Sequence, residues 1–317
     1  MVSARQSHLQ TSRRLHFGPM NPEIQIYLDG QLVPASQAKV SVYDHGFLYG
    51  DGVFEGLRIY NRRVFRLDAH LERLYRSAKA IWLEPPLSKA EMKTAIQSTV
   101  AANKLENGYI RAIFSRGFGD LGLDPRKCPT PTTVIIADGI KLYPAEVYEE
   151  GMECITVSTR RNRPDVLSPQ IKSLNYLNNI MAKIESIRAG VPECIMLNEA
   201  GLVAECSADN VFIVHEDLRG RRELRTPPIS AGALEGITRD AVMELAEGLG
   251  ITVVEKNLTL FDLYNAREAF LTGSGAEVVP LTRLDMREIG DGKPGEITRK
   301  LMAAYVELRN TEGEPTF

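Results

Sequence analysis

The strongest constraint on this chain is a change of period around Lys172. Residues 154–158, Cys154-Ile155-Thr156-Val157-Ser158, read as an extended run, whereas from Ser173 to Ile180 the spacing turns helical. Apolar residues at Leu174, Leu177, Met181, Ile184 and Ile187 recur three and four apart and Gly190 follows them. That pattern predicts a helix with one buried face that stops at the glycine. Lys172 is thereby expected near the core. A lysine whose cation is desolvated, or set beside other cations, gives up its proton readily and becomes a nucleophile toward an aldehyde. Taken alone, such a lysine more often packs its stem and keeps its head in water, so its companions decide the reading.

Those companions supply complementary chemistry. Glu205 lies where the extended stretch Gly201-Leu202-Val203-Ala204 passes through Cys206, Ser207 and Ala208 into a strand from Val211 to His215, so it is expected to point from a strand end into a cleft. Leu234-Glu235-Gly236-Ile237-Thr238-Arg239 opens a helix with apolar positions Ile237, Ala241, Leu245 and Leu249. Its first turn offers an anion free N–H groups, the positive end of the helix dipole and the Thr238 hydroxyl. The small-residue turn Thr272-Gly273-Ser274-Gly275-Ala276 follows the strand Ala269-Phe270-Leu271 and is placed to close the cradle. Arg73, on an amphipathic helix carrying Leu71, Leu74, Tyr75 and Ala78, adds positive charge. No Gly-Lys-Ser/Thr follows either turn and no glycine-rich dinucleotide fingerprint occurs, which argues against a nucleotide site. A lysine, a carboxylate for a ring nitrogen, a hydroxyl for a phenolic oxygen and a phosphate cradle are what pyridoxal phosphate needs.

In order along the chain, these segments resemble the fold-type IV, pyridoxal-phosphate-dependent class IV aminotransferases, which include the branched-chain and D-amino acid enzymes. The resemblance runs from about Ile24 to Leu308. It rests on the segment 43–56, from Tyr43-Asp44-His45-Gly46 to Phe54-Glu55-Gly56, on His70-Leu71-Glu72-Arg73-Leu74 and on Lys172-Ser173-Leu174-Asn175-Tyr176-Leu177. Glu205 through Asn210, Gly236-Ile237-Thr238-Arg239-Asp240 and the turn 272–277 complete it. The resemblance implies that Lys172 is the Schiff-base lysine and proton carrier. It pairs Glu205 with the pyridine nitrogen, sets Tyr176 near the phenolic oxygen, and assigns the cofactor's phosphate and ring to Arg73, Leu234, Ile237, Thr238 and Ser274.

Two segments bear on the substrate. Gly108-Tyr109-Ile110-Arg111-Ala112 alternates as a strand, which puts the Tyr109 hydroxyl and the Arg111 guanidinium on one face where both can meet a carboxylate. This is similar to the Tyr-x-Arg strand of the branched-chain enzymes. The loop 116–125 is similar to the loop with which those enzymes reach a neighbouring subunit's pocket, so Leu123 is expected to form an apolar wall for another chain's substrate. With Phe54, Tyr49 and Tyr143, and with Gly275 and Ala276 of the turn, it implies a pocket for leucine, isoleucine and valine side chains. The expected activity is ping-pong transamination of these L-amino acids with 2-oxoglutarate. Lys172-Ser173-Leu174-Asn175 is spelled as in D-amino acid aminotransferases and aminodeoxychorismate lyases, which leaves a D-amino acid or (R)-amine aminotransferase, or the lyase, as alternatives on the same scaffold.

The remaining expectations are coarser. The chain has 317 residues, 44% hydrophobic and 25% charged, which suits two domains in an α/β (α+β) arrangement with the cofactor between them. We expect a small N-terminal α+β domain over residues 21–140, a linker over 141–150 and a larger C-terminal α/β domain over 151–317. Residues 1–20 are expected to be disordered; they read either as a targeting peptide or, the preferred reading, as lying upstream of a translation start at Met20. A formal net charge of -3 gives no reason to expect nucleic acid or an anionic membrane as partner. Cys128, Cys154, Cys194 and Cys206 lack metal-site spacing and no histidine clusters near them, so neither metal nor disulfide framework is expected and a reducing cytoplasm fits best. The apolar, glycine-flanked Leu121-Gly122-Leu123 calls for a homodimer or larger homo-oligomer.

Overall fold

The computed structural model describes residues 23–140 and 143–317. The expected disorder of residues 1–20 and the start at Met20 fall outside these residues, as do the first two positions of the expected linker.

Among the described residues, two sheets organise a two-domain α/β fold. The first has seven strands, all antiparallel to their neighbours. Its centre is Gly52–Tyr60, Gly108–Ser115 and Thr132–Asp138; Gln25–Leu28 and Gln31–Pro34 extend one edge, Arg63–Val64 and Glu314–Pro315 the other. Strand alternation divides the work of the two faces. Ile110, Ala112 and Phe114 join Leu57, Leu71, Leu74, Met92 and Ile96 in a core under the helices Leu67–Ala80 and Lys89–Ala102. Each of the larger aliphatic and aromatic side chains contributes roughly 1.5–3 kcal/mol by its burial. Tyr109, Arg111, Phe54 and Gly56 face the other way, into a cavity.

The second sheet has nine strands and mixes parallel with antiparallel pairs. Its order is Val253–Glu255, Arg222–Thr226, Asn210–Glu216, Glu268–Gly273, Glu277–Leu284, Met152–Thr156, Glu193–Leu197 and Val203–Cys206, with Arg287–Glu288 paired to Glu277–Leu284. The helices Leu177–Ala189, Ile237–Gly248 and Glu296–Thr311 pack on it. Beyond the last helix, Glu314–Pro315 returns to the first sheet. Part of the segment expected as a linker is helical, Ala145–Glu150, entered from Pro144.

The junction at Lys172 differs from the sequence pattern in two ways. The helix starts at Leu177 rather than Ser173. Residues 172–174 instead bond to the first sheet: Phe54 N–H donates to the Lys172 carbonyl at 2.9 Å and Leu174 N–H to Gly52 O at 2.9 Å. Those bonds hold the segment extended. The apolar stripe of the helix is also not buried in this chain, since Leu177, Met181, Ile184 and Ile187 are exposed, with Ile180 beside them. The helix packs by its small side, where Ala182 meets Val157, Cys194 and Met196, with Asn179 and Ser186 also buried. Gly190 ends it as expected, at φ 78°, where a side chain would be strained.

Candidate active site

A cavity of about 590 Å³ opens between the two sheets. The first sheet contributes Phe54, Gly56, Tyr109 and Arg111; the second contributes Asp209, Asn210 and the turn from Thr272 to Ala276. Lys172, Tyr176, Leu234, Ile237, Thr238, Arg73 and Tyr143 also line it. Most of the residues expected to act together, though far apart in sequence, therefore line one cavity.

Lys172 reaches the cavity from a backbone fixed at three points, the third being a bond from its own N–H to Ser77 Oγ at 3.2 Å. Its Nζ lies 3.2 Å from the Tyr176 hydroxyl and 4.9 Å from the centre of the Phe54 ring. Phe54 and Tyr176 meet edge to face at 5.0 Å, so both rings are held as walls. The amine is half-buried, between water and core.

Arg73 also lines the cavity and is buried. Its Nε and Nη2 donate to the two oxygens of Glu55 at 2.7 and 2.8 Å, and Nη1 donates to the Glu235 carbonyl. That last bond ties the Arg73 helix to the start of Ile237–Gly248, whose first-turn N–H groups have no intrahelical acceptor. Gly236 is required there: a Cβ would lie 2.0 Å from Asn210 Oδ1. Facing them, the turn 272–276 brings Ser274, and the Thr272 hydroxyl is buried without a partner. Arg58 Nη1 holds the turn from behind by donating to Gly275 O at 2.9 Å.

Glu205 is buried next to the cavity but not on its wall. Oε1 is paired with Arg161 at 2.9 Å, and Oε2 accepts from Leu234 N–H at 2.9 Å and Asn210 Nδ2 at 3.2 Å. Arg161 is in turn held by Asn179 Oδ1 at 3.0 Å. The acids on the wall itself are Glu193 and Asp209, neither expected from sequence. Glu193 pairs with Lys183 and accepts the N–H groups of Cys194 and Ser207. Asp209 is buried opposite Gly273; burial, with the Glu193 charge behind it, pushes its carboxyl up to about 7. Burial, reinforced by Asp209, likewise raises the Tyr143 hydroxyl. Cys206 is fully buried, and burial pushes its thiol well up, which makes it an inert filler beside the site.

Tyr109 and Arg111 do share a face: Arg111 Nη2 is 3.3 Å from the Tyr109 hydroxyl, and its guanidinium stacks 4.4 Å over the Phe54 ring. Tyr49 and Leu123 are elsewhere. The Tyr49 hydroxyl donates to Leu121 O at 2.6 Å on an exposed loop, where Leu123 is 79% exposed, and neither residue lines this chain's own cavity. Within this chain Tyr49 stands apart from Phe54 and Tyr143: the short helix His45–Tyr49 packs against the loop, with His45 bonded to Asp120 O at 2.8 Å.

The donor set fits pyridoxal phosphate. One amine is paired with a hydroxyl, a helix start and an arginine adjoin an unpartnered buried threonine, and a buried carboxylate lies behind the wall. Comparison with known proteins decides the family. The family model for amino-transferase class IV matches residues 52–284. The chain belongs to the class IV aminotransferases. It is thus a transferase of a pyridoxal-phosphate-dependent family. A putative branched-chain-amino-acid aminotransferase of Methanocaldococcus jannaschii is 49% identical over 290 residues, 92% of this chain and 98% of that one. The crystal structure of the Escherichia coli branched-chain amino acid aminotransferase superposes with a TM-score of 0.87 at 33% identity, covering 92% of this chain and 96% of that one. The branched-chain amino acid aminotransferase from Thermobaculum terrenum, in its PLP-bound holo-form, gives 0.82 at 30%, covering 92% and 95%. Among the described residues of this aminotransferase, no helix is long and apolar enough to cross a membrane and no group of side chains forms a metal site.

Proposed function

We propose that this aminotransferase moves the amino group of L-leucine, L-isoleucine or L-valine to 2-oxoglutarate in two half-reactions. The observation that carries the reading is the Tyr109–Arg111 pair set in a largely apolar cavity beside Phe54. Apolar walls suit a branched side chain, and a guanidinium with free N–H groups suits the second carboxylate of the acceptor. The relatives named for branched-chain substrates support the same assignment.

The cofactor supplies an electron sink that lets the bond to the substrate's α-hydrogen break. In this reading Lys172 Nζ is its covalent anchor and the base that carries the proton. Tyr176 would lie toward the phenolic oxygen. Arg73, the N–H groups of Ile237 and Thr238, and Ser274 would hold the phosphate, and Leu234 would line the place of the ring. Glu205, from behind the wall, would hold the ring nitrogen. Asp209 is the poorer candidate for that role, because burial and the Glu193 charge favour its neutral acid, which does not keep a pyridinium charged. The N–H groups at Gly275 and Ala276 receive the substrate carboxylate.

The working unit is a homodimer. Leu121 and Leu123 are exposed on the loop that also holds Tyr49, and the exposed stripe Leu177, Ile180, Met181, Ile184 and Ile187 is a large apolar surface for a lone chain. Both fit a neighbour, whose cavity Tyr49 and Leu123 then wall. We further read residues 21–140 and 151–317 as the two domains and the cytoplasm as the compartment, in keeping with four free cysteines.

A panel of amino donors tests the proposal. L-leucine, L-isoleucine and L-valine with 2-oxoglutarate are expected to far exceed D-alanine or an (R)-amine. Better use of D-alanine overturns the substrate assignment, and pyruvate release from aminodeoxychorismate without an oxo-acid acceptor assigns the lyase instead.

A further inference from the structure

The phosphate arginine is built into a buried relay. Glu55 lies in the strand Gly52–Tyr60, between Phe54 and Gly56, and its side chain points away from the cavity those two residues line, toward the helix Leu67–Ala80. There it meets His70 and Arg73, three residues apart and so on one helix face. Both Glu55 oxygens are occupied: Oε1 by Arg73 Nε at 2.7 Å, Oε2 by Arg73 Nη2 at 2.8 Å and by His70 Nδ1 at 2.7 Å. All three side chains are buried, with Glu55 and His70 at 1% exposure and Arg73 at 5%.

Burial alone would neutralise Glu55, yet Arg73 and His70 hold its carboxyl well below the usual carboxylate range. Burial depresses His70, which therefore stays neutral and serves Glu55 as an N–H donor. The pair Glu55–Arg73 carries no net charge. A dianionic phosphate thus gains little from the arginine as a bulk charge, and what remains is geometry. With the Nε–Nη2 edge taken, the Nη1 corner is the part of the fork presented beside Glu235 O and the helix start at Ile237 and Thr238.

We propose that Glu55, assisted by His70, is a positioning residue that fixes the Arg73 fork so that one corner faces the cofactor's phosphate. The inference rests on the reading of Arg73 as a phosphate ligand. Two physical effects make opposite forecasts for Glu55→Gln. Loss of the carboxylate leaves a buried guanidinium uncompensated, which by Coulomb attraction alone tightens phosphate binding. Loss of the two-point brace frees the fork to turn, which weakens it. The brace dominates in this account.

The test compares pyridoxal phosphate with pyridoxal, which lacks the phosphate, in equilibrium titrations of the full chain after removal of its cofactor. Glu55→Gln is expected to raise the dissociation constant for pyridoxal phosphate about tenfold or more while that for pyridoxal stays within about twofold, the pattern of a lost supporting contact. His70→Gln is expected to give a smaller loss confined to the phosphorylated ligand, and takes over the test if Glu55→Gln does not fold. Equal weakening toward both ligands shows a merely structural role and overturns the proposal, as does unchanged or tighter pyridoxal phosphate binding. Arg73→Ala separates the two layers. If it leaves the preference for pyridoxal phosphate intact, the reading of Arg73 has failed; if it abolishes the preference and Glu55→Gln does not reduce it, only the positioning role has.

Discussion

Lys172 Nζ lies within 3.2 Å of the Tyr176 hydroxyl, and the edge-to-face contact of Tyr176 with Phe54 fixes that hydroxyl in place. A base that must swing between two positions is served by a partner that holds one of them. Tyr176→Phe keeps the ring contact and removes only the oxygen. Steady-state kinetics are expected to show kcat lowered about tenfold to a hundredfold with the cofactor still bound, the range for a lost group in proton transfer. An unchanged kcat would remove Tyr176 from the proposed chemistry.

Gly56 tests the substrate wall without touching the cofactor. Its backbone is ordinary strand, so alanine brings no conformational strain, yet a Cβ would sit 1.9 Å from the Tyr109 hydroxyl. Gly56→Ala must displace the Tyr109 ring from its present place beside Arg111. The expected result is a KM for amino acid raised about tenfold with cofactor affinity retained. Normal KM values would show that Tyr109 does not need its present place.

Asp209 sets a pH dependence of stability. Its folded pKa, pushed up to about 7, lies above that of an unfolded aspartate, so between about pH 4 and 7 the unfolded chain binds fewer protons and stability falls as pH rises. The penalty is fully present above the folded value and absent below about pH 4. Asp209→Asn removes it. The Tm of the variant minus that of the native protein is therefore expected to increase from about pH 4 to 7 and then level off. A difference that is flat, or that shrinks over this range, contradicts the account.

The apolar stripe on Leu177–Ala189 gives the oligomer a direct test. Ile184 is 43% exposed in the single chain, so a charge there costs the monomer little. If the stripe packs against a second copy, Ile184→Glu buries that charge and is expected to shift light-scattering mass from dimer toward monomer, with activity falling in step. A native protein that is monomeric and active refutes the dimer.

The chemistry-bearing segments were legible because each requires a particular residue type at a chain turn: an amine after an extended run, small residues at Thr272 to Ala276, a glycine before Ile237. Their gathering into one cavity followed from their order along the chain. What stayed hidden depended on partners distant in sequence. The stripe at Leu177, Met181, Ile184 and Ile187 announced a helix but not what it faces, and the packed side turned out to be Ala182 and its small neighbours. Leu123 read as a wall of another chain's pocket from its loop, whereas Tyr49 read only as a pocket residue, because its bond to Leu121 O joins positions 72 apart. Arg161, 44 positions from Glu205, carries no local signal for its ion pair. Glu55 stood between two residues of the expected opening segment, and the strand alternation that turns it from Phe54 and Gly56 toward Arg73 was the sign that it serves the helix side.

The central claim concerns one amine, and the same cavity holds a second lysine, Lys183, that could be mistaken for it. Lys183 is paired with Glu193 at 3.2 Å, whereas Lys172 faces Tyr176 and the open cavity. Borohydride reduction of the native protein followed by peptide mapping is expected to find the pyridoxyl group on Lys172, and Lys172→Ala is expected to lose L-leucine transamination by about a thousandfold or more. A pyridoxyl group on Lys183, or a Lys172→Ala protein that turns over L-leucine at a near-native rate, would contradict the account.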